Sequence, residues 1–136
     1  MAAPNIVNVA TITGITTRIA GISTDILAGS GGGGGITTIV TNAASSGKVL
    51  KINSLVATSI GATTGVSVYL YDTATAHGGA GSTVSLASTM TVPLYSSLAV
   101  IDKSSSIYLE ENTQIGVQAQ TDAGDIDVVC SYEDIS

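Results

Sequence analysis

The sequence predicts an all-β protein: a single-domain antiparallel β-sandwich, jelly-roll-like, of about eight strands with an extended N-terminal arm. Apolar and polar residues alternate with a period of two through most of the chain from residue 48 onward, which is typical of half-buried strands. Breaks rich in Gly, Ser, Asp and Pro separate these runs at the spacing of turns. Charged residues make up only 10% of the 136 residues, and no heptad pattern is present, so a coiled coil is excluded.

Four runs show the clearest alternation, and each predicts a strand with one apolar face turned to the core. The opposite faces carry Ser, Thr, Gln, Asp and Tyr. The residues expected to face the core are Val66, Val68 and Leu70; Val84, Leu86, Met90 and Val92; Ile115, Val117 and Ala119; and Ile126, Val128, Cys130 and Tyr132.

Further strands are predicted where the pattern is shorter or interrupted. In 48–58, Leu50, Ile52 and Val56 share one face, and the length of the run predicts a bend or bulge midway. Segments 97–102 and 106–110 are short strands joined by a tight polar corner. The segment 36–42 has strong β propensity without clean alternation, so it is either buried on both sides or lies at an oligomer contact.

The first 35 residues have a different character, so we divide the chain into an arm with a glycine-rich tether, 1–35, and a sandwich domain, 36–136. Five consecutive glycines, 31–35, have nothing to pack and predict a flexible tether or an exposed loop tip. The arm needs a place to bury its apolar side chains. It either returns to its own sheet or adds to a neighbouring subunit as a swapped strand. The apolar residues concerned are Ile6, Val7, Val9, Ile12 and Ile15.

Composition and charge disfavour several partners. Four Lys and Arg against ten Asp and Glu give a net charge of −6, which speaks against nucleic-acid binding because that binding relies on basic patches. No apolar run approaches eighteen residues, so no membrane-spanning helix is expected. The first residues also lack the basic and apolar regions of a usual secretory signal.

We expect no catalysis, no cofactor and no metal. His77 begins a His-Gly-Gly-Ala-Gly segment similar to an esterase oxyanion loop, but the Gly-x-Ser-x-Gly elbow is missing, so an exposed turn is favoured. Asp122, Asp125 and Asp127 cluster with a glycine, as a hairpin turn requires, without the spacing of a helix-loop-helix calcium site. The single cysteine, Cys130, lies in an apolar register and is expected to be a small buried residue.

Two tyrosines are candidates for contacts. Tyr69 and Tyr71 share the strand face opposite Val66, Val68 and Leu70, so they face outward if the aliphatic residues face the core. Tyrosine is a rigid amphipathic anchor that is favoured at protein contacts and in sugar sites. Three interpretations stay open: packing over a sheet or loop, a subunit contact, and a glycan contact.

Four segments carry a resemblance to known proteins: 1–9 (MAAPNIVNV), 44–53 (ASSGKVLKIN), 100–111 (VIDKSSSIYLEE) and 130–136 (CSYEDIS). Together they resemble small β-rich virion structural proteins of marine tailed phages, especially myoviruses that infect cyanobacteria. The resemblance covers roughly the last two-thirds of the chain and its first dozen residues, and leaves out the glycine run and the Ile/Thr segment before it. It implies membership of the particle and supplies no catalytic residues.

The function expected from these observations is a capsid decoration (cement) protein on the outside of a phage head, made in the host cytoplasm. Its partners would be the major capsid protein and copies of itself, as a homotrimer, with no nucleic acid and no membrane. The expected contact residues are Ile6, Val7, Val9 and Ile12 in the arm, and Tyr69 and Tyr71 on the subunit face. The alternative is a tail, neck or fibre component that contacts the host surface, for example by binding a glycan.

Overall fold

The computed structural model describes residues 9–22, 35–72, 83–120 and 125–136. Within these ranges the chain forms nine β-strands and no α-helix, so the predicted all-β class is confirmed. There is accordingly no helix in the described ranges with the length and apolar character of a membrane span. The strands are β1 (Ile12–Ile22), β2 (Thr37–Asn42), β3 (Val49–Ser59), β4 (Thr64–Asp72), β5 (Val84–Val92), β6 (Ser97–Ile101), β7 (Ile107–Leu109), β8 (Thr113–Ala119) and β9 (Ile126–Ile135).

The strands form two antiparallel sheets with jelly-roll connectivity. The first sheet has the order β1-β9-β3-β6, with β7 also paired to β3, and the second has the order β2-β8-β4-β5. Counting β6 and β7 as two halves of one interrupted strand leaves eight positions. Each strand then pairs with its counterpart from the other end of the chain: β1 with β9, β2 with β8, β3 with β6 and β7, and β4 with β5. This folded-over hairpin is the double-sheet jelly roll expected from the sequence.

The core lies between the two sheets and is almost entirely aliphatic. The predicted inward faces of β8 and β9 are confirmed, and so are the inward residues Val66 and Val68 of β4; Leu70 and Tyr132 are only partly buried. Cys130 is buried among these residues, as expected. The largest fully buried side chains include Ile52, Leu55, Leu109, Ile115, Ile126, Val66, Val68, Val92, Val117 and Val128.

Strand β3 contains the predicted bulge, and the bulge changes which residues face the core. Its register with β9 shifts between Ile52 and Ser54. A bulge inserts one extra residue, so the side chains beyond it change face. Leu55 is therefore fully buried, whereas Val56 is only half-buried. The assignment of Val56 to the core face was wrong for this reason.

Strand β5 departs further from the expected alternation. Seven residues of β4 (64–70) pair with nine residues of β5 (84–92), so β5 carries two extra residues in two register shifts. Val92 is fully buried, but Val84, Leu86 and Met90 are exposed. The prediction that these three residues belong to the core was wrong. Val84 and Met90 are register partners of Leu70 and Val66, but β5 is the last strand of its sheet, and all three residues stay exposed.

Part of the segment assigned to the N-terminal arm lies in the first sheet. Strand β1 pairs antiparallel with β9 of the same chain from Ile12, opposite Ile135, to Ile22, opposite Ile126. Of the two alternatives, return to the same sheet is the one observed for this stretch. The register shifts near Gly21, whose φ of 68° suits glycine. Residues 1–8 and nearly all of the glycine tether lie outside the described residues.

Strand β2 is an edge strand that buries two consecutive residues. Ile39 and Val40 are both buried because the register with β8 shifts between Thr38 and Val40. The missing alternation in 36–42 therefore reflects a bulge.

The polar corner predicted between two short strands is also present. Asp102 precedes a single 3₁₀ turn at Lys103–Ser105 that separates β6 from β7. Its carboxylate accepts hydrogen bonds from the Ser104 hydroxyl (2.6 Å) and from the backbone N–H groups of Ser104 (2.8 Å) and Ser105 (3.0 Å). These donors, chiefly the Ser104 hydroxyl, hold the pKa of Asp102 below its ordinary value.

A buried asparagine joins the two sheets at one end of the sandwich. Asn42, the last residue of β2, is 2% exposed. Its Nδ2 donates to the carbonyl oxygens of Lys48 (2.9 Å), just before β3, and of Leu109 (3.0 Å), the last residue of β7; both strands belong to the first sheet. Its Oδ1 accepts from the Ser46 hydroxyl at 2.6 Å. Every polar atom of this buried amide therefore has a partner, as burial requires.

We expect Asn42→Leu to lower the free energy of unfolding by about 2–4 kcal/mol, because it keeps the branched shape of the side chain but removes the hydrogen bonds to the carbonyls of Lys48 and Leu109 in the interior. Urea unfolding followed by circular dichroism measures the change. Thr41→Val, at the exposed neighbouring position, is the control and should change stability by about 0.5 kcal/mol or less. Equal effects of the two variants would contradict a linking role for Asn42.

Candidate interaction surface

The two sheets differ sharply in charge. The four strands of the second sheet contain one charged residue, Asp72, which is the last residue of β4. The outer face of the first sheet carries Arg18, Lys51, Asp127 and Glu133. The side chains of Lys51 and Glu133, which are register partners, come within 3.8 Å of each other. One side of the sandwich is therefore charged and the other is not.

The outer face of the second sheet is lined by hydroxyl, amide and phenol groups. Because Val66 and Val68 face the core, the alternate residues of β4 lie on the outer side, and their register partners on β8 lie beside them. We call this surface the uncharged face. Its residues are Thr38 and Thr41 on β2, Gln114, Gly116 and Gln118 on β8, and Ser67, Tyr69 and Tyr71 on β4.

Most of the polar groups on the uncharged face already bond to one another. The Tyr69 hydroxyl donates to Oε1 of Gln118 (3.3 Å), and the Thr41 hydroxyl donates to Oε1 of Gln114 (3.2 Å). The Ser67 hydroxyl accepts the backbone N–H of Thr89 (2.9 Å), a residue in the bulged part of β5 with φ of 52°. Such a surface can lose its water with few bonds left unmade.

Tyr71 lies on the predicted face but is not exposed. It is 3% exposed, and its hydroxyl lies 2.7 Å from the Thr38 hydroxyl. Its ring covers Gly116: a Cβ added there would lie 2.9 Å from Tyr71 Cε1 and would clash with Ile36 Cγ2. Burial raises the pKa of Tyr71, and the bond to Thr38 offsets this only in part. The expectation that Tyr71 faces outward into solvent was therefore wrong.

Tyr69 is the tyrosine of this pair that keeps part of its surface accessible. It sits directly opposite Gly116 in the register, on the same face as Tyr71. The two tyrosines differ because Ile36 and Thr38, at the edge of the sheet formed by β2, pack near Tyr71. The sequence of β4 alone does not predict this contact. A contact role for Tyr69 stays a prediction.

Three exposed residues of β5 are apolar, and we call them the β5 stripe: Val84 (57% exposed), Leu86 (36%) and Met90 (45%). Tyr95, in the turn that follows β5, is 80% exposed. Its backbone is fixed to the end of β3, since its N–H donates to the Ser59 carbonyl at 3.0 Å. The alternation pattern of the strands does not single out Tyr95. Its place in a Pro-Leu-Tyr-Ser turn is the signal that could have found it.

The arm residues expected at contacts are only partly described. Ile12 begins β1 and is 64% exposed, and Val9 is half-buried. Ile6 and Val7 lie outside the described residues. The described residues thus place Ile12 in the sheet with its side chain open to a partner.

No group of three or more His, Cys, Asp or Glu residues in the described ranges is arranged to hold a metal. Asp125 is buried against Gly61, whereas Asp127 accepts the backbone N–H of Gly21 at 2.9 Å. The two carboxylates therefore have separate environments. Asp122 and His77 lie outside the described residues.

Comparison with known proteins supplies no relative: no protein-family model matches the chain, and no curated protein matches it. The function has to be inferred from the chain's own surfaces.

The thiol of Cys130 is chemically shielded. It is fully buried in β9, and this burial raises its pKa from 9.0 to about 12. The thiolate is the reactive form, so the folded protein holds it in the unreactive protonated form at neutral pH.

We expect Cys130 to resist a thiol-specific reagent in the folded protein at pH 8, because the thiol is both protonated and inaccessible, and to react completely in denaturing urea. The time course of the reaction between the reagent and the Cys130 thiol, with and without urea, measures this difference. Because the folded pKa is raised, the stabilising contribution of the protonated thiol is full below the unfolded pKa near 9 and is lost as the pH rises toward about 12. Rapid labelling of the folded protein would contradict the burial of this residue.

Proposed function

We propose that the chain is a virion structural protein, specifically a decoration protein that binds to the outside of a phage head through protein–protein contacts. Its partners are the major capsid protein and further copies of itself. The observation that carries the proposal is the uncharged face: a four-stranded sheet surface whose strands hold a single charged residue, at one end. Interface centres are depleted of charged residues in the same way.

The energetics favour burial of this face over that of the first sheet. Removing a charge from water costs several kcal/mol unless it is paired and hydrogen-bonded, whereas hydroxyl and amide groups cost much less when their bonds are kept. The bonds Tyr69–Gln118 and Thr41–Gln114 lie within the face and can persist in a contact. The second sheet would therefore lie against the capsid.

The first sheet would then face solvent. Its outer surface carries Arg18 and the pair Lys51–Glu133, whose side chains are partly exposed. Exposed ion pairs add little to stability, but exposed charges keep a protein soluble. A particle that displays many copies would thus present the charged sheet outward.

Two weaker lines of support agree with this proposal. Jelly rolls occur among viral capsid proteins, although a fold alone does not determine function. Four segments of the sequence resemble virion proteins of marine tailed phages.

Many copies that bind a repeating lattice also gain strength from high effective concentration, so each single contact can be weak.

A second candidate is a tail, neck or fibre component that contacts the host surface. The observation that favours it is the pairing of a partly exposed aromatic, Tyr69, with the amide of Gln118 on an uncharged surface. Aromatic faces and amide groups together are suited to sugars. Lectin domains are also found among jelly rolls.

Copy number distinguishes the two candidates. We expect purified virions to contain hundreds of copies of the chain, because decoration covers a repeating head lattice, and quantitative gel densitometry against the major capsid protein measures this. A few dozen copies or fewer would favour the tail, neck or fibre assignment instead. Absence of the chain from virions would overturn both.

We expect Gln118→Glu to weaken binding to capsids that lack the chain by about tenfold or more, because it places an unpaired charge in the contact. The substitution preserves shape and keeps an acceptor for the Tyr69 hydroxyl. Co-sedimentation of the purified chain with such capsids measures the affinity.

The matched control is Val129→Glu, which adds the same charge at an exposed position on the outer face of the first sheet. It should bind within about twofold of the unmodified chain. Loss of binding in Val129→Glu alone, or equal binding by both variants, would contradict the assignment of the contact to the second sheet.

A further inference from the structure

The two sheets have four edges, and three of them carry a feature that protects an edge. Strand β2 is short and bulged, β5 carries two extra residues, and the edge formed by β6 and β7 is interrupted by the 3₁₀ turn at Lys103–Ser105. Short strands, bulges and interruptions keep an edge from pairing with another chain. Strand β1 has none of these from Ile12 to Ile19, where its register with β9 is unbroken, and it contains no proline.

The free side of β1 presents a regular row of backbone groups. Thr11 and Ser136, at the end of the β1–β9 ladder, exchange two backbone hydrogen bonds of 2.9 and 3.1 Å. Residues in an antiparallel ladder bond to the two sides in turn, so the even-numbered residues of β1 direct their N–H and C=O groups away from β9. No strand of the described ranges pairs with that side. The even-numbered residues of the unbroken register are all exposed: Ile12, Gly14, Thr16 and Arg18.

Opposite charges lie near this edge, on the outer face of the first sheet. Arg18 is exposed and lies opposite Val129 of β9, and it belongs to neither of the two ion pairs of the described residues. Glu133 of β9 lies between Lys51 of β3 and Gly14 of β1 in the register. A Cβ added at Gly14 would have no atom within 4 Å, so the space on this side of Glu133 is open. The edge therefore offers an unpaired cation and, four residues away, open space beside a carboxylate.

These charges are complementary when β1 pairs with β1 of a second copy. If Thr16 lies opposite its own counterpart in an antiparallel pair, Arg18 lies opposite Gly14 of the second copy. Glu133 of the second copy is then the next residue in that row, two strand spacings or about 10 Å from Arg18 between Cα atoms. Extended Arg and Glu side chains span this distance because Gly14 places no side chain between them. Registers shifted by two residues place Arg18 opposite Ile12 or Thr16, and neither has an acidic partner on β9.

We propose that two copies of the chain form a dimer by antiparallel pairing of their β1 strands across a two-fold axis. Thr16 faces Thr16, and Arg18 of each copy pairs with Glu133 of the other. The backbone bonds join the two first sheets, and the ion pair, which occurs twice, fixes the register. The axis is perpendicular to the joined sheet, so both uncharged faces lie on the same side and stay free.

This assembly is a dimer and differs from the homotrimer expected from the sequence. It goes beyond the proposed function and does not rest on it, because it concerns the isolated protein and requires no virion.

The first experiment tests the backbone pairing by analytical ultracentrifugation. Thr16→Pro removes an N–H group that points away from β9, so it blocks pairing at the free edge while the β1–β9 ladder keeps its bonds. Thr16→Ala is the matched control, because it removes the same side chain and keeps the N–H group. We expect the full chain and Thr16→Ala to sediment as dimers, and Thr16→Pro to sediment as a monomer. Protection of Cys130 from thiol reagent shows that each variant is folded.

Three results would overturn the proposal. The first is a full chain that stays monomeric at millimolar concentration, and the second is a full chain that sediments as a trimer. The third is a folded Thr16→Pro variant that dimerises as tightly as Thr16→Ala, which would place the contact on another surface.

The second experiment tests the register by exchanging charges between copies. Arg18→Glu places two carboxylates together in each half of its own dimer, and Glu133→Arg places two cations together, so each variant alone should dimerise about tenfold more weakly or worse. In a mixed dimer of the two variants, both contacts again join opposite charges. We expect an equimolar mixture to dimerise about as tightly as the full chain, as measured by sedimentation equilibrium.

The control for net charge is Lys103→Glu, which makes the same change in charge as Arg18→Glu at an exposed position in the turn between β6 and β7. It should dimerise like the full chain. A mixture that associates no more tightly than its separate components would overturn the proposed register and its ion pair. Capsid binding is measured separately by co-sedimentation, so the dimer and the proposed function can fail independently.

Discussion

The structure depends on one constraint: each strand must place its aliphatic side chains between two sheets while its backbone stays paired. The core contains no Phe or Trp, so it is filled by Ile, Val and Leu, whose contribution scales with the apolar area each buries. Bulges allow the strands to meet this constraint where the sequence does not alternate regularly. In β3 the bulge places Leu55 in the core instead of Val56. In β2 a second bulge allows the consecutive residues Ile39 and Val40 both to be buried.

The same constraint shapes the surface. Strand β5 is the last strand of its sheet among the described residues, and there Val84 and Met90 stay exposed although they lie opposite Leu70 and Val66. Where the sheet remains regular, as between β4 and β8, the outer side chains align and bond across strands. The surface features of these strands are thus a consequence of register.

Buried polar groups help to determine how the two sheets pack against each other. Asn42 bonds to carbonyls at the ends of β3 and β7, so it links the second sheet to the first at one end of the sandwich. At the other end, the Ser59 backbone bonds to Ser96 and Tyr95, which holds the turn between β5 and β6 against β3. These bonds contribute little net energy each, but leaving any of them unmade in the interior is costly. They therefore favour this packing of the two sheets over other packings.

The sequence by itself determined the fold class, most strand positions and the burial of Cys130, because alternation, turn residues and composition are local properties. It also indicated a bulge in β3. Only the tertiary structure decided that Tyr71 is buried beside Ile36 and Thr38, that β1 pairs with β9, and that Val84, Leu86 and Met90 are exposed. Each of these depends on a partner strand distant in sequence, and a one-residue shift in register moves every later side chain to the other face.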